Sequence, residues 1–291
     1  MTPVLYVVFI FLMLLVSIFV TNRSCKKDQI LVILYDTDFN NDYVRKYIST
    51  LKMFGYNYKI IGDESWKGFG KKIKTLEYYL NSLPSDQIVV VSDARDVFVA
   101  RHAKDLMKHY ESLAKNKILV STELGCCESL RKKKPPGSLR LLNGESNQLD
   151  ITDDSSPHKW VTDFQKLANK NLEGVKWKWT NPNAGLYMGK VKDILKMYKM
   201  MNISGDKEDD QSVLSEIILQ HEHMFVLDYL SNIFSSSFKW NPNSKEIHGG
   251  CYYKKNSVNG MIENLIFHSY PFFFHFPAKH FTCYDKVYDM V

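Results

Sequence analysis

Short runs of branched apolar residues recur along this chain, each followed by a stretch with helical spacing. That alternation limits the fold more than any other feature. Residues 30–35 read ILVILY and Asp36 follows. Residues 42–54 then place Tyr43, Val44, Tyr47, Ile48, Leu51 and Phe54 at helical intervals, and Gly55 closes the segment. Residues 58–61 are a second strand, residues 71–83 a helix stopped by Pro84, and residues 88–91 (IVVV) a third strand. A helix over 103–114 and a strand over 118–122 extend the series. Repeated strand–helix units imply βαβ connections, so the predicted class is α/β with a mostly parallel central sheet flanked by helices. Residues 126–156, with Arg131 to Lys134 and Pro135-Pro136, break the pattern and read as a long surface loop or flap. Further on, the spacing predicts helices over 160–172, 191–201 and 210–220, and strands over 186–188 and 265–267.

The apolar content (45%, with 13% aromatic) supplies a sizeable core and excludes global disorder. A net charge of +6 on scattered lysines, without a nucleic-acid-binding motif, excludes nucleic acid as the expected partner. The cysteines are Cys25, Cys126, Cys127, Cys251 and Cys283. They show no zinc spacing, whereas one or two disulfides would suit an oxidising lumen. Residues 4–20 form an apolar run broken only by Ser17, at the short end of the ~20 residues that span a bilayer. It reads as a signal anchor rather than a cleaved signal peptide, since it is long and lacks an A-x-A site. Residues 1–27 are therefore expected to be a membrane anchor with a short stem, and residues 28–291 the folded body. Arg23, Lys26 and Lys27 follow the run and no basic residue precedes it, which by charge alone places that flank in the cytoplasm. Asn22-Arg-Ser24 and Asn202-Ile-Ser204 are glycosylation tripeptides, of a kind that also arises by chance.

The chemistry centres on the strand that ends in Ser92-Asp93-Ala-Arg-Asp96. In open α/β sheets ligands sit beyond the carboxyl ends of strands. Residues three apart face opposite sides of a straight strand, but a turn after Asp93 would let both carboxylates meet at one point. Two such oxygens suit a hard cation, Mn2+ or Mg2+, bridging to a diphosphate; the competing reading is a helix cap. Trp66-Lys-Gly-Phe-Gly70-Lys71-Lys72 puts two glycines at a helix entrance, where backbone N–H groups meet an anion or a plain turn exposes lysines. Asn183-Ala-Gly185 lets a sugar approach the main chain, or simply turns into a strand. Asp209-Asp210-Gln211 offers either a helix cap or groups for sugar hydroxyls. His275, among phenylalanines, is a core histidine or a third metal ligand, with His268 and His280 as rivals, and Lys279 is placed to contact phosphate.

Taken in this order, the motifs resemble the glycosyltransferase domain of the procollagen-lysine hydroxylases and their glycosyltransferase-only relatives. The resemblance spans residues 30–285, with a poor match over 128–180. It implies a GT-A fold, a UDP-sugar donor and Mn2+. It also implies that Asp93, Asp96 and His275 hold the metal and that Trp66 with Lys71 or Lys72 lines the nucleotide site. Asn183 and Gly185 would then border the donor sugar, and Asp209 and Asp210 would orient sugar or acceptor, one of them catalytically. Leu227-Asp228 to Ile233-Phe234 would be a late strand. The chain departs from the family at His275-Phe-Pro-Ala-Lys279, two residues shorter before the lysine, and at Leu186, where the family has a second glycine. The expected activity is transfer of a hexose from a UDP-sugar to a hydroxyl acceptor, a collagen-like protein among the candidates, by a single-pass membrane protein with its body in the ER or Golgi lumen. The alternatives are an inactive membrane-tethered scaffold of the same fold, or a phosphate-ester hydrolase, which would need more metal ligands.

Overall fold

The computed structural model describes residues 30–62, 65–123, 140–141, 149–150, 159–174, 179–237, 251–277 and 280–291. The apolar run at 4–20, Asn22, Cys25, Cys126, Cys127, the basic cluster at 131–134 and Lys279 lie outside these residues. No helix among the described residues is long and apolar enough to cross a membrane.

The strands in chain order are β1 (Leu31–Tyr35), β2 (Asn57–Ile61), β3 (Ile88–Asp93), β4 (Val97–Val99), β5 (Ile118–Glu123), β6 (Arg140–Leu141), β7 (Leu149–Asp150), β8 (Asn181–Lys190), β9 (Phe225–Leu227), β10 (Phe234–Ser236), β11 (Tyr253–Lys255), β12 (Ile262–Asn264) and β13 (Phe273–His275). The helices are α1 (Asp42–Met53), α2 (Phe69–Leu80), α3 (Ala103–Ala114), α4 (Lys159–Asn171), α5 (Val191–Met201), α6 (Asp210–Gln220) and α7 (Phe281–Tyr288).

The central sheet runs β2-β1-β3-β8-β5-β9. Its strands are parallel except β8, which is antiparallel to both β3 and β5. Helices cover both faces, which is why β1 and β3 read as continuous apolar runs rather than alternating ones. Alternate residues still go to opposite sides. Val32, Leu34 and Val90 enter one core with Phe98, Phe274 and Tyr284, while Ile33, Val89 and Val91 enter the other with Leu76, Ile194 and Ile218. A second sheet, β10-β13-β4, packs onto the first core.

Only Ala94, Arg95 and Asp96 separate β3 from β4, so the chain leaves the central sheet directly after Asp93 and joins the second sheet. This is the turn on which convergence of the two aspartates depends.

Three sequence expectations are corrected. The segment from Leu227 to Phe234 is not one late strand: Leu227 ends β9 and Phe234 begins β10, in different sheets. Between them the buried Asp228 accepts hydrogen bonds from the amides of Asn232, Ile233 and Phe234 at 2.7–2.8 Å. Burial raises the Asp228 pKa, and these bonds oppose the rise. Without the carboxylate those amides would lose their acceptor, at about 1–3 kcal/mol for each one left buried. Residues 265–267 are likewise a turn, because Asn264 Oδ1 accepts from the amides of Ile266 and Phe267 and curls the chain back. Finally, β8 spans ten residues rather than three, since buried Asn181 and Asn183 disguise its first half as a loop.

The Cys251–Cys283 disulfide joins the segment before β11 to α7, with a Cα–Cα distance of 5.4 Å.

Candidate metal and donor site

Asp93 ends β3, Asp96 immediately precedes β4, and His275 ends β13. The antiparallel pairing of β4 with β13 sets His275 opposite Val97, and the Phe276 amide donates to the Asp96 carbonyl at 2.8 Å. One ligand atom from each of Asp93, Asp96 and His275 lies within 4.8 Å of the others. His275 is buried, with Nδ1 3.5 Å from Ser236 Oγ and Nε2 3.5 Å from Asp96 Oδ1. Beyond that long contact with Asp96, Nε2 makes no well-formed hydrogen bond among the described residues, which leaves its lone pair open to a ligand. Burial disfavours the imidazolium, yet the Asp96 carboxylate, followed by Asp93 and Glu123, outweighs it and raises the His275 pKa. Two carboxylates and an imidazole facing one point fit a divalent cation such as Mn2+.

Gly185 borders this cluster because β8 pairs with β3, with Leu186 opposite Ser92. A Cβ at Gly185 would lie 2.5 Å from His275 Cε1 and 2.7 Å from Asp93 Oδ2. The strand therefore needs glycine for close approach rather than for an unusual backbone angle. Asn183, also buried, supplies Oδ1 to the Gly185 amide at 2.8 Å and so holds this stretch in place. Gly185→Ala is expected to weaken Mn2+ affinity about 10–100-fold, as displacement of groups around metal ligands commonly does. Calorimetric titration with Mn2+ checks this.

Lys72 is turned inward from α2. Its Nζ lies 3.2 Å from Asp93 Oδ1 and 2.6 Å from Asp210 Oδ2, and its side chain is 5% exposed. Burial works against the ammonium, but Asp210 and Asp93 more than compensate and raise its pKa. Burial raises the pKa of Asp210, opposed by Lys72. Lys72 thus links a candidate metal ligand to a candidate catalytic carboxylate. Asp209 is the N-cap of α6, accepting from the Gln211 amide at 3.2 Å and from Ser212 Oγ at 2.5 Å. Those bonds direct it to the helix end.

Glu123 was not singled out in the sequence. It ends β5, is buried, and accepts from Gln211 Nε2 at 2.9 Å, while Gln211 Oε1 accepts from the Ala184 amide at 3.3 Å. Because β5 runs parallel to β3, both acids stand at the same edge of the sheet. An acidic residue closing an apolar strand was the available signal.

Trp66 is half exposed and packs edge-on against Tyr35 and Phe69. The glycines beside it serve packing: a Cβ at Gly68 would fall 2.3 Å from the Asp206 carbonyl oxygen, and one at Gly70 1.9 Å from that of Gly205. The Lys71 amide donates to the Asp206 carbonyl at 3.1 Å. A backbone carbonyl, not an anion, therefore takes this helix-entrance amide, and the Lys71 charge acts on Asp206. His268 is exposed beside Glu263, and His280 lies against Ser237, so neither rival joins the cluster.

Residues 26–143 match the family model described as the PLOD GT domain. No curated protein matches the chain. Among solved structures, it is similar to a glycosyltransferase involved in glycosylation of the major capsid of PBCV-1, at 11% identity and a TM-score of 0.45, covering 90% of this chain and 99% of that one. It is also similar to the 2-C-methyl-D-erythritol 4-phosphate cytidylyltransferase of Francisella tularensis, at 11% identity and a TM-score of 0.35, covering 69% and 89% respectively. A third similarity is to A197 from STIV, at 10% identity and a TM-score of 0.29, covering 58% and 67%.

Proposed function

We propose that the chain is a glycosyltransferase that moves a hexose from a UDP-sugar to a hydroxyl acceptor on a GT-A-like fold, a reading supported by the match of residues 26–143 to the PLOD GT domain model. The observation that carries this reading is the meeting of Asp93, Asp96 and the buried Nε2 of His275 at the carboxyl edge of the sheet. A divalent cation held there, Mn2+ or Mg2+, supplies positive charge opposite the donor's diphosphate.

The protein's own groups do the rest. Half-exposed Trp66 presents an indole against which the uracil ring stacks. Lys72 holds Asp93 and Asp210 in fixed positions, and the bare backbone at Gly185 lets the hexose lie close to the metal cluster. Gln211, bonded to Glu123 and to the Ala184 amide, ties α6 and β5 to the stretch of β8 that leads to Gly185. Asp210 is the better placed of the two α6 acids to act at the reacting centre, since Asp209 is engaged as a cap. Orientation of donor and acceptor, with fixed charges around the leaving diphosphate, then accounts for the rate.

In this reading residues 28–291 are the catalytic body and residues 1–27 its membrane anchor. The disulfide between Cys251 and Cys283 favours an oxidising compartment, hence a lumenal body, over the orientation suggested by Arg23, Lys26 and Lys27. The acceptor is a hydroxyl, and the resemblance points to hydroxylysine of a collagen-like protein.

Release of UDP from UDP-glucose or UDP-galactose by the purified chain tests the proposal. Release is expected with Mn2+ and lost on chelation. UDP binding without release in either case would overturn it in favour of a tethered scaffold.

A further inference from the structure

We propose that Asn202 carries an N-linked oligosaccharide. The inference rests on the lumenal placement above. Asn202-Ile203-Ser204 has the acceptor pattern, with isoleucine rather than proline at its centre. By itself that pattern is weak, and the fold adds three observations.

First, Asn202 and Ser204 are both exposed, and Asn202 is the left-handed residue that ends α5, with φ 45°. It stands where the chain turns away from its helix, so a bulky substituent extends into solvent without entering the core. Second, the loop is held by other atoms. The amides of Ser204 and Gly205 donate to Glu208 Oε2, the Ser204 carbonyl accepts from Lys74 Nζ, and the Asp206 carbonyl accepts from the Lys71 amide. These bonds leave the Asn202 carboxamide and the Ser204 hydroxyl outside the loop's own structure, so modification disturbs none of them. Third, the Cys251–Cys283 disulfide marks the body as one that meets an oxidising compartment, the one in which lipid-linked oligosaccharide donors are used. In the reaction Asn202 Nδ2 loses one proton and forms a bond to the anomeric carbon of the oligosaccharide. The bond from that carbon to the diphosphate of the lipid carrier breaks, and the carrier leaves as its diphosphate.

The full chain, expressed in a eukaryotic secretory host, is compared before and after peptide-N-glycosidase by gel mobility and intact mass. The expected result is loss of one oligosaccharide's mass, absent from both Asn202→Asp and Ser204→Ala. Asn202→Asp retains a residue that tolerates the left-handed turn, and Ser204→Ala keeps Asn202 itself. A shift that persists in both variants assigns the sugar elsewhere and overturns the proposal. A third variant, Met261→Thr, gives exposed Asn259 a hydroxyl two residues on and reports lumenal exposure independently. A glycan gained in Met261→Thr, with none at Asn202 in the unmodified sequence, overturns the proposal while leaving the lumenal body standing. No glycan in any version overturns both.

Discussion

Asp96→Ala is expected to lower metal-dependent UDP release by about a thousandfold, with Mn2+ binding weakened in parallel and the fold intact. The size follows from chemistry: a cation that stabilises a departing diphosphate contributes several kcal/mol, and each 1.36 kcal/mol is about tenfold in rate. The clean separation from stability follows from position. Asp96 is partly exposed in the short link between β3 and β4, and its side chain faces His275 at 3.5 Å rather than Lys72. Its backbone carbonyl, which holds the Phe276 amide, survives the substitution. Asp93→Ala is expected to be equally inactive but also less stable, because buried Lys72 loses one of its two carboxylates. UDP release, calorimetric Mn2+ titration and thermal melts of the two variants distinguish these outcomes. Mn2+-dependent turnover at the unmodified level in Asp96→Ala would remove the metal from this edge of the sheet.

The second large effect concerns Lys72. Lys72→Met is expected to cost about 3–5 kcal/mol of stability, the usual consequence of leaving one member of a buried pair without its partner. Asp210 would remain buried with Asp93 as its charged neighbour. For a body of this size such a loss corresponds to a fall of roughly 10 °C in Tm. The sign with pH is fixed as well. Burial already holds the Asp210 pKa above its unfolded value, and removal of Lys72 leaves that rise less opposed. A raised carboxyl pKa means stability present at low pH and lost as pH rises through the folded-state value. The deficit of Lys72→Met should therefore shrink on acidification. Replacing both partners, Lys72→Met with Asp210→Leu, is expected to recover much of the stability, since the buried carboxylate is gone, but none of the activity. A single Lys72→Met variant that melts with the unmodified protein would show that the pair does not hold this edge together.

Lys72 also shows where a closer reading of the sequence would have reached further. Residues four apart share a helix face, so Lys72 lies in line with Leu76 and Leu80, both buried, whereas Lys71 does not. A lysine on an apolar stripe needs a counter-charge, and that alone separates two neighbours that the motif treats alike. Glu123 was legible in the same limited sense, as an acid closing the apolar run ILVST. The glycines at 68 and 70 carried no such signal. A glycine required by a crossing backbone looks the same in sequence as one required by a phosphate, and only the loop at 203–207 tells them apart.

The amino-acid sequence by itself determined the α/β class, the helices over 103–114, 191–201 and 210–220, and the edge at which Asp93 and Asp96 stand. These are set by periodicity and by apolar runs, which act within a few residues. Tertiary structure alone decided that β8 runs antiparallel through the middle of the sheet, that Cys251 meets Cys283, and that His275 rather than His268 or His280 joins the aspartates. His275 reaches Asp96 because β13, far along the chain, pairs with the three-residue β4. Such pairing is fixed by packing among Phe98, Phe274 and Phe276, whose side chains state that they are buried but not against which partner.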